Sequence, residues 1–191
     1  MGLVAMALSG CATAPPSHTS DLCAIFREKD DWYAGAHEAF RRWGAPIPVQ
    51  MAIIKQESSF VDDARPPRVR FLGIPLWRPS SAFGYAQAKD ETWDWYLRTT
   101  GNGGADRDDF VDAVDFVAWY IHQTYSKLGV SKSDAYYQYL AYHEGQSGFR
   151  RGTWRAKPGL LRAAQRVEAL AALYGRQLQG CAGVLEAALS D

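Results

Sequence analysis

The sequence predicts a mostly α fold. Three observations carry that prediction: nearly every strong apolar segment repeats with helical period, glycines and prolines fall between those segments, and only residues 65–83 break the pattern at length. With 191 residues, 47% hydrophobic and 22% charged, the chain suits one globular domain, or a domain plus a short extension. Charges balance at 21 against 21 and no basic stripe stands out, so nothing favours nucleic acid as a partner. Aromatics make up 13%, with seven Trp among them, which fits either a Trp-rich core or a groove lined for sugar faces.

Taken in order, Asp21 to Trp43 reads as one helix, with Phe26, Tyr33, Ala36 and Phe40 on one side and Gly44 closing it. Pro46 and Pro48 punctuate the chain, and a second helix runs from Pro48 to Phe60. Residues 65–83 hold four Pro without helical period; around 65–80 a short β-hairpin or an extended loop is expected. A third helix spans Asp90 to Gly101. In the fourth, Phe110, Val114, Val117, Ile121, Tyr125 and Leu128 keep helical spacing while other apolar residues fill the remaining faces, which predicts a central, largely buried helix. A fifth covers Asp134 to Tyr142. The last runs from Leu160 to Leu178 and carries Ala164, Val167, Ala171 and Tyr174.

The first twenty residues contain no Lys, Arg, Asp or Glu, and Leu3 to Leu8 form an apolar run followed by small residues. Residues 1–10 therefore read as an export signal, too short to be a span. Leu8-Ser9-Gly10-Cys11 resembles the lipobox of bacterial lipoproteins, although the basic stretch that usually opens such a signal is missing. The resemblance implies cleavage before Cys11, acylation of that residue and attachment to a membrane, each buried methylene contributing about 0.8 kcal/mol. Ala12 at the next position leans, by analogy, toward the outer membrane. Residues 11–20 then serve as a flexible Pro/Ser/Thr tether and 21–191 as the folded domain. With Cys11 acylated, Cys23 and Cys181 remain as an even pair, available to bridge in an oxidising periplasm or left as two thiols.

Glu57 is the residue that the pattern does not explain. Val49, Ile53 and Phe60 share a stripe on the second helix, and Glu57 lies four residues after Ile53 and three before Phe60. Ile54 and Val61, its other helical neighbours, are apolar, and no Lys or Arg stands three or four positions away. A carboxylate so placed loses water without gaining a cation, which raises its pKa. The bland account is a side chain capped by Ser58 or Ser59, or bent out to solvent. The chemical account is a general acid held protonated near neutral pH.

Two later stretches bear on that choice. Glu57-Ser58-Ser59-Phe60, Gly84-Tyr85-Ala86-Gln87 and Ala141-Tyr142-His143-Glu144-Gly145 together resemble, in order, the E-S-x-F, G-L-M-Q and A-Y-N-x-G patterns of soluble-lytic-transglycosylase (SLT) domains. The resemblance covers Trp43 to Tyr174. It implies a lysozyme-like helical domain acting on peptidoglycan glycan strands, without cofactor, at the β-1,4 bond between N-acetylmuramic acid and N-acetylglucosamine. Glu57 would serve as acid and then base, giving a 1,6-anhydro product. It also implies that Tyr142 hydrogen-bonds Glu57, that Gln87 lines the cleft, and that Ser58, Ser81, Tyr85 and His143 contact substrate. No second acid pairs obviously with Glu57, as hydrolytic glycosidases ordinarily require.

The chain departs from the family at Tyr85-Ala86, which replace Leu-Met, and at His143, which replaces Asn. Glu144 occupies a variable position and reads as a solvated surface residue or as a second carboxylate for hydrolysis. Arg65 to Pro79 is an excess over the family's usual length, fit for a lid, for a contact with glycan or another envelope protein, or for a plain loop. Two alternatives stay open: a hydrolytic muramidase of the same fold, and a glycan-binding or docking lipoprotein with little turnover. His18, His37, His122 and His143 show no ligand spacing, so no metal site is expected. Gly101 to Gly104 follow a helix and read as a turn, not a phosphate loop.

Overall fold

The computed structural model describes residues 14–71 and 74–189. The export segment and Cys11 lie outside these residues. The fold is mostly helical: α1 Leu22–Glu28, α2 Asp30–Trp43, α3 Ile47–Ser58, β1 Arg70–Phe71, β2 Ile74–Pro75, α4 Asp90–Thr100, α5 Phe110–Leu128, α6 Ala135–Arg151, a 3₁₀ turn Thr153–Ala156, and α7 Pro158–Ala188. The two strands form an antiparallel hairpin, Arg70 opposite Pro75 and Phe71 opposite Ile74, inside the stretch expected to be hairpin or loop. No described helix is long and apolar enough to cross a membrane.

The fourth predicted helix, α5, is the centre of the core. Phe110, Ala113, Val114, Phe116, Val117, Trp119 and Ile121 are all buried, whereas Tyr125 is half-exposed despite its place in the periodic pattern. The two long helices α2 and α5 pack against each other closely. Trp32 stacks flat on Phe110 at 3.7 Å between ring centres, and a Cβ at Gly35 would press on Val111 at 3.0 Å. Asp115 on α5 accepts from Trp43 Nε1 at 2.7 Å and from the Tyr96 hydroxyl at 2.7 Å, joining α2, α5 and α4 through one carboxylate.

The first predicted helix is two helices. Lys29 leaves the helical region (φ −123°, ψ 88°) and its Nζ donates to the Ala14 carbonyl at 2.7 Å. Within α2 the buried stripe runs through Trp32, Tyr33, Ala36 and Ala39, and Phe40, at the edge of that stripe, is 42% exposed, against the sequence expectation for Phe40. The last two helices run longer than predicted. Through Gly145, where φ is 71° and ψ 157°, the chain turns and resumes as helix, so α6 extends to Arg151. Only glycine takes that conformation without strain.

The thirty-one residues of α7 form a splint. It lies along α3 and α6 and reaches back to the start of the chain. Gln177 accepts from Leu22 N at 2.9 Å and donates to the Ser20 carbonyl at 3.1 Å, and the Tyr174 hydroxyl donates to the Thr19 carbonyl at 2.5 Å. Ser17 and Ala14 bind Glu28 and Lys29 on α1 and at its end. Residues 14–20, expected as a free tether, are thus fastened to the domain by polar contacts that the Pro/Ser/Thr composition does not reveal. Cys23 and Cys181 form a disulfide, with Cα atoms 6.2 Å apart, and clasp α1 to α7.

A bridge spanning 158 positions removes much of the unfolded chain's freedom, about 4–5 kcal/mol at the upper end of the chain-entropy relation. Cys181→Ser is expected to lower the thermal midpoint by roughly 10 °C. Reductant should lower the wild-type midpoint equally and leave the variant unmoved; an unchanged midpoint in the variant would show that the clasp contributes nothing.

Candidate active site

Glu57 occupies the last turn of α3, and the manner in which that helix ends fixes its position. Ser59 and Phe60 both adopt left-handed backbone conformations, φ 54° and 63°, which costs strain for non-glycine residues. Burial of the Phe60 ring against Trp32, 5.5 Å between centres, opposes that strain. The Ser58 hydroxyl accepts from Phe60 N at 3.1 Å and donates to the Ile54 carbonyl at 3.3 Å. Ser58 is therefore the device that turns the chain. It does not line the cleft, contrary to the expected substrate contact.

The second motif supplies the opposite wall. Gly84 N donates to the Ala64 carbonyl at 3.0 Å, and a Cβ on Gly84 would lie 2.0 Å from the Arg107 carbonyl oxygen, so the motif's glycine is required by close backbone approach. Gln87, with φ 48°, closes the turn by donating from Nε2 to the carbonyls of Ala64 at 2.8 Å and Gly84 at 2.9 Å. Tyr85 points the other way, into the core, edge-on to Trp32 and Phe110. It cannot stack on a sugar, and the residue that departs from the family pattern belongs to the core. Ser81 Oγ accepts from Asp90 N at 3.1 Å at the head of α4, which makes it a capping residue and not a cleft contact.

These walls and α6 enclose a cavity of about 310 Å³, lined by Glu57, Gln87, Lys89, Tyr142, His143 and Glu144 among others. Four of the expected site residues, Glu57, Gln87, Tyr142 and His143, come together there; Ser58, Ser81 and Tyr85 do not. Burial raises the Glu57 pKa to about 7, although a hydrogen bond from Tyr139 works in the opposite direction. Tyr142 was expected to be that partner. Its hydroxyl instead donates to the Ala86 carbonyl at 2.6 Å, and it lies close enough to Glu57 for the carboxylate's charge to add to the burial that raises its own pKa.

Tyr139 escaped the sequence reading. It stands one helical turn before Tyr142, so the same face of α6 presents both rings, and that spacing was the available signal. Burial, then the neighbouring Glu57 charge, raises its own pKa. Phe116 and Tyr120 of α5 complete the wall, the Tyr120 ring edge-on to Tyr142 at 5.1 Å.

Glu144 is not the solvated residue expected. Its side chain is 4% exposed. Burial disfavours its charge, but Lys157 Nζ at 2.7 Å, the Thr153 hydroxyl and His143 Nδ1 at 3.2 Å outweigh that penalty and pull its pKa down to about 2. The cavity thus holds one carboxyl that keeps its proton near neutrality and one that is ionised and engaged by three partners. Among the described residues, no group of three or more His, Cys, Asp or Glu is placed to hold a metal ion.

A family model described as "Transglycosylase SLT domain" matches residues 1–181. Neither the search of curated proteins nor that of solved structures returned a match. The family match spans almost the whole chain and includes all three motif stretches that build the cleft. The chain belongs to the transglycosylase SLT domain family, whose proteins act on peptidoglycan in the cell envelope.

Proposed function

We propose that the protein cleaves the β-1,4 bond between N-acetylmuramic acid and N-acetylglucosamine and releases a 1,6-anhydromuramic end, with Glu57 as both acid and base. The observation that carries this reading is a single carboxyl at the cleft floor whose pKa stands at about 7. In the first step Glu57 gives its proton to the leaving glycosidic oxygen as the C1–O bond breaks. The substrate's own N-acetyl carbonyl oxygen bonds to C1 and carries the developing charge. The Glu57 carboxylate then takes the proton from the muramic C6 hydroxyl, whose oxygen attacks C1 and displaces the acetamido oxygen. Each half asks of Glu57 a proton held or accepted near neutrality, which is where general acid–base groups work best.

Hydrolysis by the same cleft would need a second carboxylate to activate water. Glu144 is the candidate, since it lines the cavity, but both its oxygens are already bound by Lys157, Thr153 and His143. That engagement favours the anhydro route. Peptidoglycan strands are the substrate class. The export signal over residues 1–10 and acylation at Cys11 form part of the same proposal, placing the domain on the periplasmic side of a membrane.

Incubation of purified sacculi with wild type is expected to release anhydro-muropeptides, lighter by one water than hydrolysis products, as read by mass spectrometry. Glu57→Gln should release less than a hundredth of the wild-type amount, since removing a general acid costs about 10²- to 10⁴-fold. Equal release by both proteins would remove Glu57 from the chemistry.

The first step requires protonated Glu57, so kcat/KM is expected to fall as pH rises above about 7. Tyr139→Phe removes a hydrogen bond that favours the carboxylate and should move that limb to higher pH. A limb that stays in place in the variant would exclude Tyr139 from tuning Glu57.

The same group makes stability depend on pH. An unfolded glutamate ionises near 4.5, whereas the folded one keeps its proton to about 7, so folding takes up a proton between these values and stability falls as pH rises through that window. Glu57→Gln is expected to be more stable than wild type at pH 8, by up to roughly 3 kcal/mol, with the gap closing by pH 4. Denaturant titrations at the two pH values test this.

A further inference from the structure

We infer that a second groove, between the ends of α5 and α6 and the 3₁₀ turn, binds a further stretch of peptidoglycan strand through its pyranose faces and its carboxylates. The groove has a volume of about 390 Å³. Three aromatic side chains line it, Tyr137, Phe149 and Trp154, together with three cations, Lys127, Arg150 and Arg155. None of the described residues along it is acidic, although the protein's charges balance overall. It shares no lining residue with the cavity that holds Glu57.

The break in α6 builds the aromatic part. Tyr137 lies in the first turn of that helix and Phe149 in the last. In an unbroken helix twelve positions would set their Cα atoms about 18 Å apart along the axis. With the chain turned at Gly145, their ring centres stand 6.1 Å apart. Trp154, on the 3₁₀ turn, closes the set at 6.0 Å from Tyr137 and 5.9 Å from Phe149, and its Nε1 donates to the Phe149 carbonyl at 3.2 Å. The three rings hold one another in place, and Tyr137 remains 41% exposed.

Two of the cations have a plain structural reason. Lys127 and Arg150 stand in the last turns of α5 and α6, where a positive side chain meets the negative end of a helix, and Arg150 Nη2 donates to the Lys127 carbonyl at 3.4 Å. Arg155 follows no such rule. It lays its guanidinium over the Trp154 ring, 4.6 Å from the centre. Stacking engages the face of the fork and not its N–H edge, which is the part that grips a carboxylate. Aromatic surface rimmed by cations fits a ligand with apolar faces and negative groups. Peptidoglycan has both, in its flat sugar rings and in the carboxylates of its lactyl and peptide branches. The rings line a concavity, which suits a strand better than a flat bilayer.

The 3₁₀ turn also joins this groove to the active cleft. Thr153, one residue before Trp154, donates to the Glu144 carboxylate, and Lys157, two residues after Arg155, bonds it at 2.7 Å. A strand attached at the turn stays near the active cleft between cuts, because a second attachment raises its effective concentration at the first. The inference rests on peptidoglycan as the substrate and not on the chemistry assigned to Glu57.

Binding of soluble, peptide-bearing glycan strands to the full chain carrying Glu57→Gln tests it. Adding Lys127→Gln and Arg155→Gln to that parent is expected to weaken binding about fivefold, within what two exposed charge pairs contribute. The difference should vanish on strands whose carboxyls have been amidated. With Glu57 intact, the same two substitutions should raise KM on long strands, leave kcat in place and leave the thermal midpoint unmoved. Equal affinity of parent and variant for free strands overturns the inference, including the case in which the substitutions weaken only binding to phosphatidylglycerol vesicles. So does a difference that persists on amidated strands. Failure of the peptidoglycan reading itself looks different: parent and variant both bind no strand, and wild type releases nothing from sacculi.

Discussion

A carboxyl group kept out of water without a cation beside it is the constraint around which this domain is arranged. Glu57 is held there because α3 ends abruptly and the inner side of its last turn is packed into the core, leaving the carboxyl to face the cleft. Ile53, Ile54 and Phe60 are fully buried around it, Ser58 locks the turn, and two successive left-handed residues carry the chain away. Behind the cleft, α7 backs both α3 and α6, so the two helices that bring Glu57 and Tyr139 together rest on a common support. The rigidity matters, because a carboxyl raised by burial regains its ordinary acidity as soon as water reaches it.

The cleft separates two glutamates by environment. Glu57 has a hydroxyl for a partner and keeps its proton. Glu144, at the other wall, has an ammonium and a hydroxyl and stays ionised. Two carboxyls with opposite habits in one cavity are the arrangement that lets one of them do acid–base work while the other builds structure. Lys157 and Thr153 lie beyond the break at Gly145, so the ion pair also ties the second half of α6 and the following turn to the cleft wall.

The helices were legible because apolar spacing and glycine stops report directly on burial and termination: Gly44, Gly101 and Gly129 each close a helix in the left-handed conformation. What spacing could not show was phase. Periodicity runs through the break at Lys29 without marking it, and it does not tell where the buried stripe of α2 ends, so Phe40, at the stripe's edge, faces water. The site was half legible. Glu57 stood out because it violates the pattern of its helix, and Gln87, Tyr142 and His143 do line the cleft with it. Ser58, Ser81 and Tyr85 have the chemistry of sugar contacts, but their hydroxyls or rings are consumed by a helix end, a helix start and the core. A side chain's type does not tell which way the backbone turns it, and in these three cases the turn decides the role. Tyr139, which the motif does not single out, bonds the acid because α6 turns its face there.

The clasp between Cys23 and Cys181 closes the intervening chain into a covalent ring that contains every residue lining the cleft. A protease that nicks one exposed connection, such as the segment Gly101 to Gly104 or the hairpin, opens the ring without dividing it. The two fragments stay joined, their helices stay at high effective concentration, and the cleft is not lost with the first cut. The bridge therefore protects the domain against cleavage as well as against heat.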